Sequence, residues 1–182
     1  MNIKKIILFI TIMVLSLVLV SCNSAKSMMH ARENELNASN DNKIADTHFN
    51  KIMEALKNED KEGLKKIFSP NALKEAKDID GGIDYIMKFY KGNIKSKDVA
   101  HEVSEENEHG KKTKEIKVSY TVTTDKGTYI VFFIDKLVDT KKPDNIGLYM
   151  LQIIKESDKE KEFDGGGDKT RCAGIYRPDT LK

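Results

Sequence analysis

Residues 115–134 read EIKVSYTVTTDKGTYIVFFI, and this stretch constrains the fold more than any other. Ile116, Val118, Tyr120 and Val122 alternate strictly with Lys117, Ser119 and Thr121. A period of two puts the first set on one sheet face and the second on the other, which predicts a half-buried strand. Thr124-Asp125-Lys126-Gly127 then predicts a hairpin turn, with glycine supplied where positive φ is often needed. The next run, TYIVFFIDKLV, is apolar at both parities. A strand of that kind is covered on both faces and belongs inside a sheet. KKPDN turns the chain again, and IGLYMLQII makes a further strand. Strands joined by turns this short are antiparallel neighbours.

The sequence ahead of these strands is helical. Phe49, Ile52, Met53 and Leu56 fall at i, i+3, i+4 and i+7, one apolar helix face beginning near Lys43. Leu64, Ile67 and Phe68 continue in a short second helix. Ser69-Pro70 opens a third, with serine as the cap and proline in the first turn. DIDGG breaks the chain; Ile83, Ile86, Met87 and Tyr90 then form another face, and Gly92 ends it. Ile94 to Glu108 reads as weakly patterned strand, ended by a turn at HGKK. Helices first and an antiparallel meander second define an α+β fold.

The N-terminus has a different character. Met1-Asn2-Ile3-Lys4-Lys5 precedes fifteen uncharged residues, Ile6 to Val20, and Leu19-Val20-Ser21-Cys22 closes the run. A basic start, an apolar middle and small residues at the end have the form of a secretory signal. The run is shorter than the roughly 20 residues of a spanning helix. The terminal box is that of a bacterial lipoprotein, in which the Cys22 thiol accepts a diacylglyceryl group and becomes the first mature residue. Acyl chains contribute about 0.8 kcal/mol per buried CH₂, so two or three anchor a domain firmly. The expected organisation is a signal peptide over 1–21, the lipidated cysteine and a flexible tether over 22–42, and one domain over 43–182.

Charge limits the partners. Losing Lys4 and Lys5 with the signal takes the 31 basic residues to 29, against 29 acidic ones. Lysine and glutamate are interspersed, as in KNEDKEGLKK, and no basic face of the kind nucleic acid demands is visible. With Cys22 committed to lipid, Cys172 is the one cysteine left, so no internal disulfide is expected.

FSPNAL, DIDGGIDYIMKFYKG, VTTDKGTYIVFF, PDNIGLYML and GIYRP together resemble an uncharacterised lipoprotein family of Gram-positive, clostridial-type bacteria. The resemblance covers about Lys43 to Pro178. It implies a cystatin-like or nuclear transport factor two-like cone, with a curved antiparallel sheet wrapped around N-terminal helices. It implies no activity, because that fold hosts enzymes and non-catalytic modules alike.

Chemistry is sparse. The histidines are His30, His48, His101 and His109, and none has the spacing of a zinc helix motif. His48 reads as a helix-surface or partly buried residue. Aligning DIDGG with a calcium loop puts Ala76 and Met87 where carboxylates are required, so Asp78 and Asp80 read instead as caps of the helix that follows. FDGGGDK, residues 163–169, lacks the Lys-Ser/Thr ending of a phosphate loop and reads as a mobile turn. No metal site or cofactor is expected. Asp135, ending the apolar run YIVFFI, is the one carboxylate placed to act as a base in a cavity, although a strand-end position in water fits it better. Tyr85, Phe89, Tyr120, Tyr129 and Phe133 are core residues that would line such a cavity if one existed.

The expectation is a lipid-anchored, non-catalytic binding or interaction module on the outer face of a membrane, contacting a small molecule or a surface protein. The alternative is a small-molecule lyase or isomerase using Asp135. A third reading is a homodimer through the exposed sheet face.

Overall fold

The computed structural model describes residues 40–108 and 110–178. The apolar stretch, Cys22, His30, His109 and most of the expected tether lie outside the described residues. The chain divides into two compact units, Met1–Ile44 and Ala45–Lys182. Of the first unit, residues 40–44 are described, and they are helical. The helix is thus formed ahead of Lys43, where the apolar spacing starts, and Asp41 within that polar start is buried.

In the second unit helix α1 continues to residue 58. Its buried residues Ala45, Phe49, Ile52, Met53 and Leu56 recur at helical spacing. Three short helices follow, each with a side-chain cap. Asp60 opens α2 (Lys61–Lys65) by accepting from the Gly63 N–H at 2.8 Å. Ser69 opens α3 (Pro70–Glu75) by accepting from the Ala72 N–H at 3.1 Å. Asp78 opens α4 (Ile79–Phe89) by accepting from the Gly81 N–H at 2.9 Å. Asp78 is therefore a cap, and Asp80 pairs with Lys65 at 2.8 Å.

Five strands follow: β1 (Ile94–Glu108), β2 (Lys111–Thr124), β3 (Gly127–Asp139), β4 (Gly147–Lys155) and β5 (Gly174–Ile175). They lie side by side in sequence order. The first four are an antiparallel meander, with a two-residue turn between Thr124 and Gly127. Here the expected all-antiparallel sheet needs correction, because β5 runs parallel to β4. The chain between them passes through a 3₁₀ turn (Glu156–Asp158) and helix α5 (Lys159–Glu162), a connection long enough to return in the same direction.

The two parities of β3 face different layers. Tyr129, Val131 and Phe133 join Val118, Tyr120 and Val122 of β2 against Phe49, Ile52, Leu64, Ile83 and Ile86. Ile130, Phe132 and Ile134 join Met150 and Ile154 on the other face, under Phe163 and Tyr176. Phe132 meets Phe163 edge-on, with centroids 5.3 Å apart.

The C-terminal cover is fastened at two points. A Cβ on Gly82 of α4 would stand 2.8 Å from the Ile175 Cβ, so only glycine lets β5 come that close. FDGGGDK is tied down rather than mobile. Asp164 accepts from the backbone N–H of Gly167 and of Lys169, each at 3.0 Å, and from the Thr170 hydroxyl. Burial opposes the Asp164 charge, but the bonds from Thr170, Lys169 and Gly167 outweigh it and hold the carboxyl below its ordinary value.

Strand β1 differs from the rest. None of its side chains from Ile94 to Asn107 is buried, and Val99 and Val103 keep 54% and 40% of their surface in solvent. Opposite charges across the β1–β2 register support it: Glu102 faces Lys117, and Glu105 faces Lys114.

Candidate functional site

The register of the sheet slips once between β3 and β4. Ile134 pairs with Met150 and Asp135 with Leu148, which leaves Tyr149 as the extra residue of a bulge. Bulges re-aim side chains, and two groups of polar residues lie around this one.

On the helix side is Asp135. It continues the parity of Tyr129, Val131 and Phe133, so it points into the helix-side layer and is fully buried. The expectation of a strand end in water is overturned because β3 continues to Asp139. Asp135 Oδ2 lies 2.5 Å from His48 Nδ1 on α1. His48 precedes Phe49 and sits one turn before Ile52, both of them core residues, so the helix carries the imidazole against the sheet. The carboxylate side chain is 1% exposed and the imidazole 20%. The two are close but poorly aligned: His48 Nδ1 and both Asp135 oxygens are buried without a hydrogen bond of ordinary angular geometry. The distance defines the contact, and the angles mark polar capacity the fold does not use.

On the opposite side the bulge displays Tyr149. Lys136 Nζ stands 4.6 Å from its ring centroid, and the Arg171 guanidinium 5.3 Å. Arg171 grips Glu115 of β2 bidentately, at 3.0 and 2.7 Å. That hydrogen-bonded pairing raises the Arg171 guanidinium further above its already high value. Glu115 and Lys136 also line a shallow cleft of about 290 Å³ with Ser104 and Asp139.

The aromatic residues named from the sequence are packed ring to ring. Tyr120 stacks on Phe49 at 4.0 Å and lies 6.1 Å from Phe133. Tyr85 stacks on Phe89 at 5.3 Å, and Phe89 meets Tyr129 edge-on at 6.0 Å. Burial pushes the Tyr85 hydroxyl up to about 12. Tyr120, raised by burial and by its bond to Asp46, donates to that carboxylate at 3.1 Å. Lys97, hydrogen-bonded to Asp46 at 2.9 Å, holds the Asp46 carboxyl below its usual range. A larger open cleft, about 860 Å³, lies elsewhere, between the C-terminal ends of α1 and α4 and the start of β1; it is lined by Met53, Leu56, Tyr90 and Ile94 among others. Cys172 is half-buried in a third cleft with Arg171 and Arg177. Among the described residues no group of three or more His, Cys, Asp and Glu side chains gathers as metal ligands.

The sequence reading missed the approach of His48 to Asp135. The signal was present in the parity of β3: counting by twos from Tyr129 puts Asp135 inward.

Residues 51–156, from the middle of α1 to just past β4, match the Domain of unknown function (DUF5104). The chain belongs to this family. The DUF5104 match contains the bulge and Asp135 and begins three residues after His48. No curated relative matches the chain. Among the described residues no helix is long and apolar enough to cross a membrane.

Proposed function

We propose that this DUF5104 chain is an extracytoplasmic lipoprotein, held to the membrane through lipid on Cys22, and that its α+β domain is a non-catalytic binding module. The observation that carries the reading is the join at Leu19-Val20-Ser21-Cys22, where the fifteen uncharged residues Ile6 to Val20 are followed by Ser21 and the Cys22 thiol and polar sequence begins. The cone-like likeness to cystatin and nuclear transport factor two-like domains belongs to the same reading. Ring-to-ring packing of the inner aromatics fits a filled interior that works through its surface. Mass spectrometry of the N-terminal peptide from cells tests it. The expected peptide starts at Cys22 and carries the added acyl mass, and Cys22→Ala moves the protein out of the detergent phase. An unmodified Cys22 peptide overturns the anchor.

A second reading, a lyase or isomerase acting through Asp135, is favoured by one observation. A buried carboxylate meets an imidazole at 2.5 Å with polar capacity unused. Native mass spectrometry of the chain purified gently from cells separates the two. A reproducible small-molecule adduct that is lost in a folded Asp135→Asn variant supports this second reading; a bare mass in both supports the first.

A further inference from the structure

Strand β1 is an edge strand. Among the described residues it ends the sheet, with β2 on one side and no strand on the other. It is 15 residues long, against the 13 of β3. Its register irregularity falls at its start, between Ile94 and Ser96, and the ladder is regular from there to Glu108. A long, regular edge without proline is a template for another strand unless something guards it. Charges do guard β1, but unevenly. Lys95, Lys97 and the single carboxylate Asp98 lie in its first half, and Glu102, Glu105, Glu106 and Glu108 in its second.

That asymmetry selects the occupant. Laid antiparallel against itself, the strand sets a basic half against an acidic half. Two-fold symmetry and the alternation of side chains require the axis to pass through a residue, because facing residues must share a parity. An axis through Ala100 sets Asp98 against Glu102, and one through Glu102 sets Asp98 against Glu106. Both are repulsive. An axis through His101 gives neither clash. It sets Lys97, which also bonds Asp46 at 2.9 Å, opposite Glu105, which also pairs with Lys112 at 3.1 Å, and does so twice; it likewise sets Val99 opposite Val103 twice.

The same axis continues the apolar face. Across the β1–β2 register, Val99 faces Tyr120 and Val103 faces Ile116. Tyr120 and Ile116 belong to the core, whereas the two valines are largely exposed. Pairing about His101 therefore makes two rows, each running Tyr120, Val99, then Val103 and Ile116 of the second copy. The exposed valines of each copy are covered by those of the other.

We propose that β1 joins β1 of a second copy edge to edge, antiparallel, about a two-fold axis through His101, so that two five-stranded sheets become one. The pairing does not depend on the lipid anchor or on any chemistry at Asp135.

Disulfide trapping in the full chain tests the register. The chain carries Cys172→Ser and is solubilised in non-ionic detergent. Facing residues in an antiparallel pair have Cα atoms roughly 4.5–5.5 Å apart, inside the range a disulfide bridges. His101→Cys then forms a covalent dimer on mild oxidation. Val99→Cys alone does not, because the two copies of residue 99 stand roughly 13 Å apart along the strands. A mixture of Val99→Cys and Val103→Cys chains cross-links as a mixed pair. Glu105→Lys lowers the yield at position 101 by about tenfold, and adding Lys97→Glu restores it. Cross-linking at 99 alone, or equal yields at 99 and 101, overturns the register. No cross-link at any of these positions, with a monomer mass in sedimentation at high concentration, overturns the pairing and leaves the edge to a strand of a different protein.

Discussion

Strands β1 and β3 lie two places apart in one sheet, and they are held by different physics. Each parity of β3 has its own apolar layer, helices on one side and the C-terminal segment on the other. Strand β1 buries none of its side chains from Ile94 to Asn107 and rests on backbone pairing with β2, on opposite charges facing across the register, and on Lys97 reaching Asp46 and the Phe49 ring of α1. A long strand therefore does not require a covered face, provided its neighbour is itself fixed. In this sheet stability is concentrated in β3, and β1 is left available for contact.

Substitutions sharpen or break that contrast. The largest effect is expected at Phe133, fully buried between Tyr120 and the helices. Phe133→Ala should cost about 3–5 kcal/mol in urea unfolding, while Val99→Ala on β1 should stay within about 0.5 kcal/mol. Equal losses would end the distinction. Next comes the buried pair. His48→Ala takes the imidazole from a carboxyl that is 1% exposed, and a loss of about 3 kcal/mol is expected. Replacing both by leucine should recover most of that loss. A double variant as unstable as the sum of the two single ones would show that the pair is not coupled.

A smaller loss, about 1–3 kcal/mol, is expected for Gly82→Ala, whose methyl meets Ile175 at 2.8 Å. Proteolysis should then release the C-terminal segment before the meander; simultaneous cleavage would contradict the layered account. The smallest effect concerns Asp164. Its carboxyl is held below its ordinary value in the folded chain, so its contribution is present at neutral pH and is lost as pH falls below about 4, the unfolded value, and on through the folded one. The gap in melting temperature between the wild type and Asp164→Asn should close on acidification, and a gap that widens in acid reverses the sign.

Much of this architecture is legible in the sequence because periodicity reports burial directly. The alternation at Ile116–Val122 and the two-parity run at Tyr129–Ile134 fix β2 and the place of β3. Ser69-Pro70 and Asp78 announce their caps. Strand β5 is not legible: two residues carry no period, and their place depends on Gly82 lying far away in sequence. The turn at Asp164 is hidden for a similar reason, since a glycine-rich string does not reveal that one carboxylate ties three donors. The bulge at Tyr149 is a matter of pairing between strands, so no single segment encodes it. His48 and Asp135 meet across 87 positions, and only fold and parity together bring them into contact.

The fastening of the C-terminal segment bears on how the chain is made. Phe163 and Tyr176, which cover Ile130, Phe132 and Ile134, leave the ribosome after all four strands of the meander. Until they arrive, a nascent chain has a complete meander with one bare apolar face. A chain cut short before Phe163 would leave the face of Ile130, Phe132 and Ile134 without that cover.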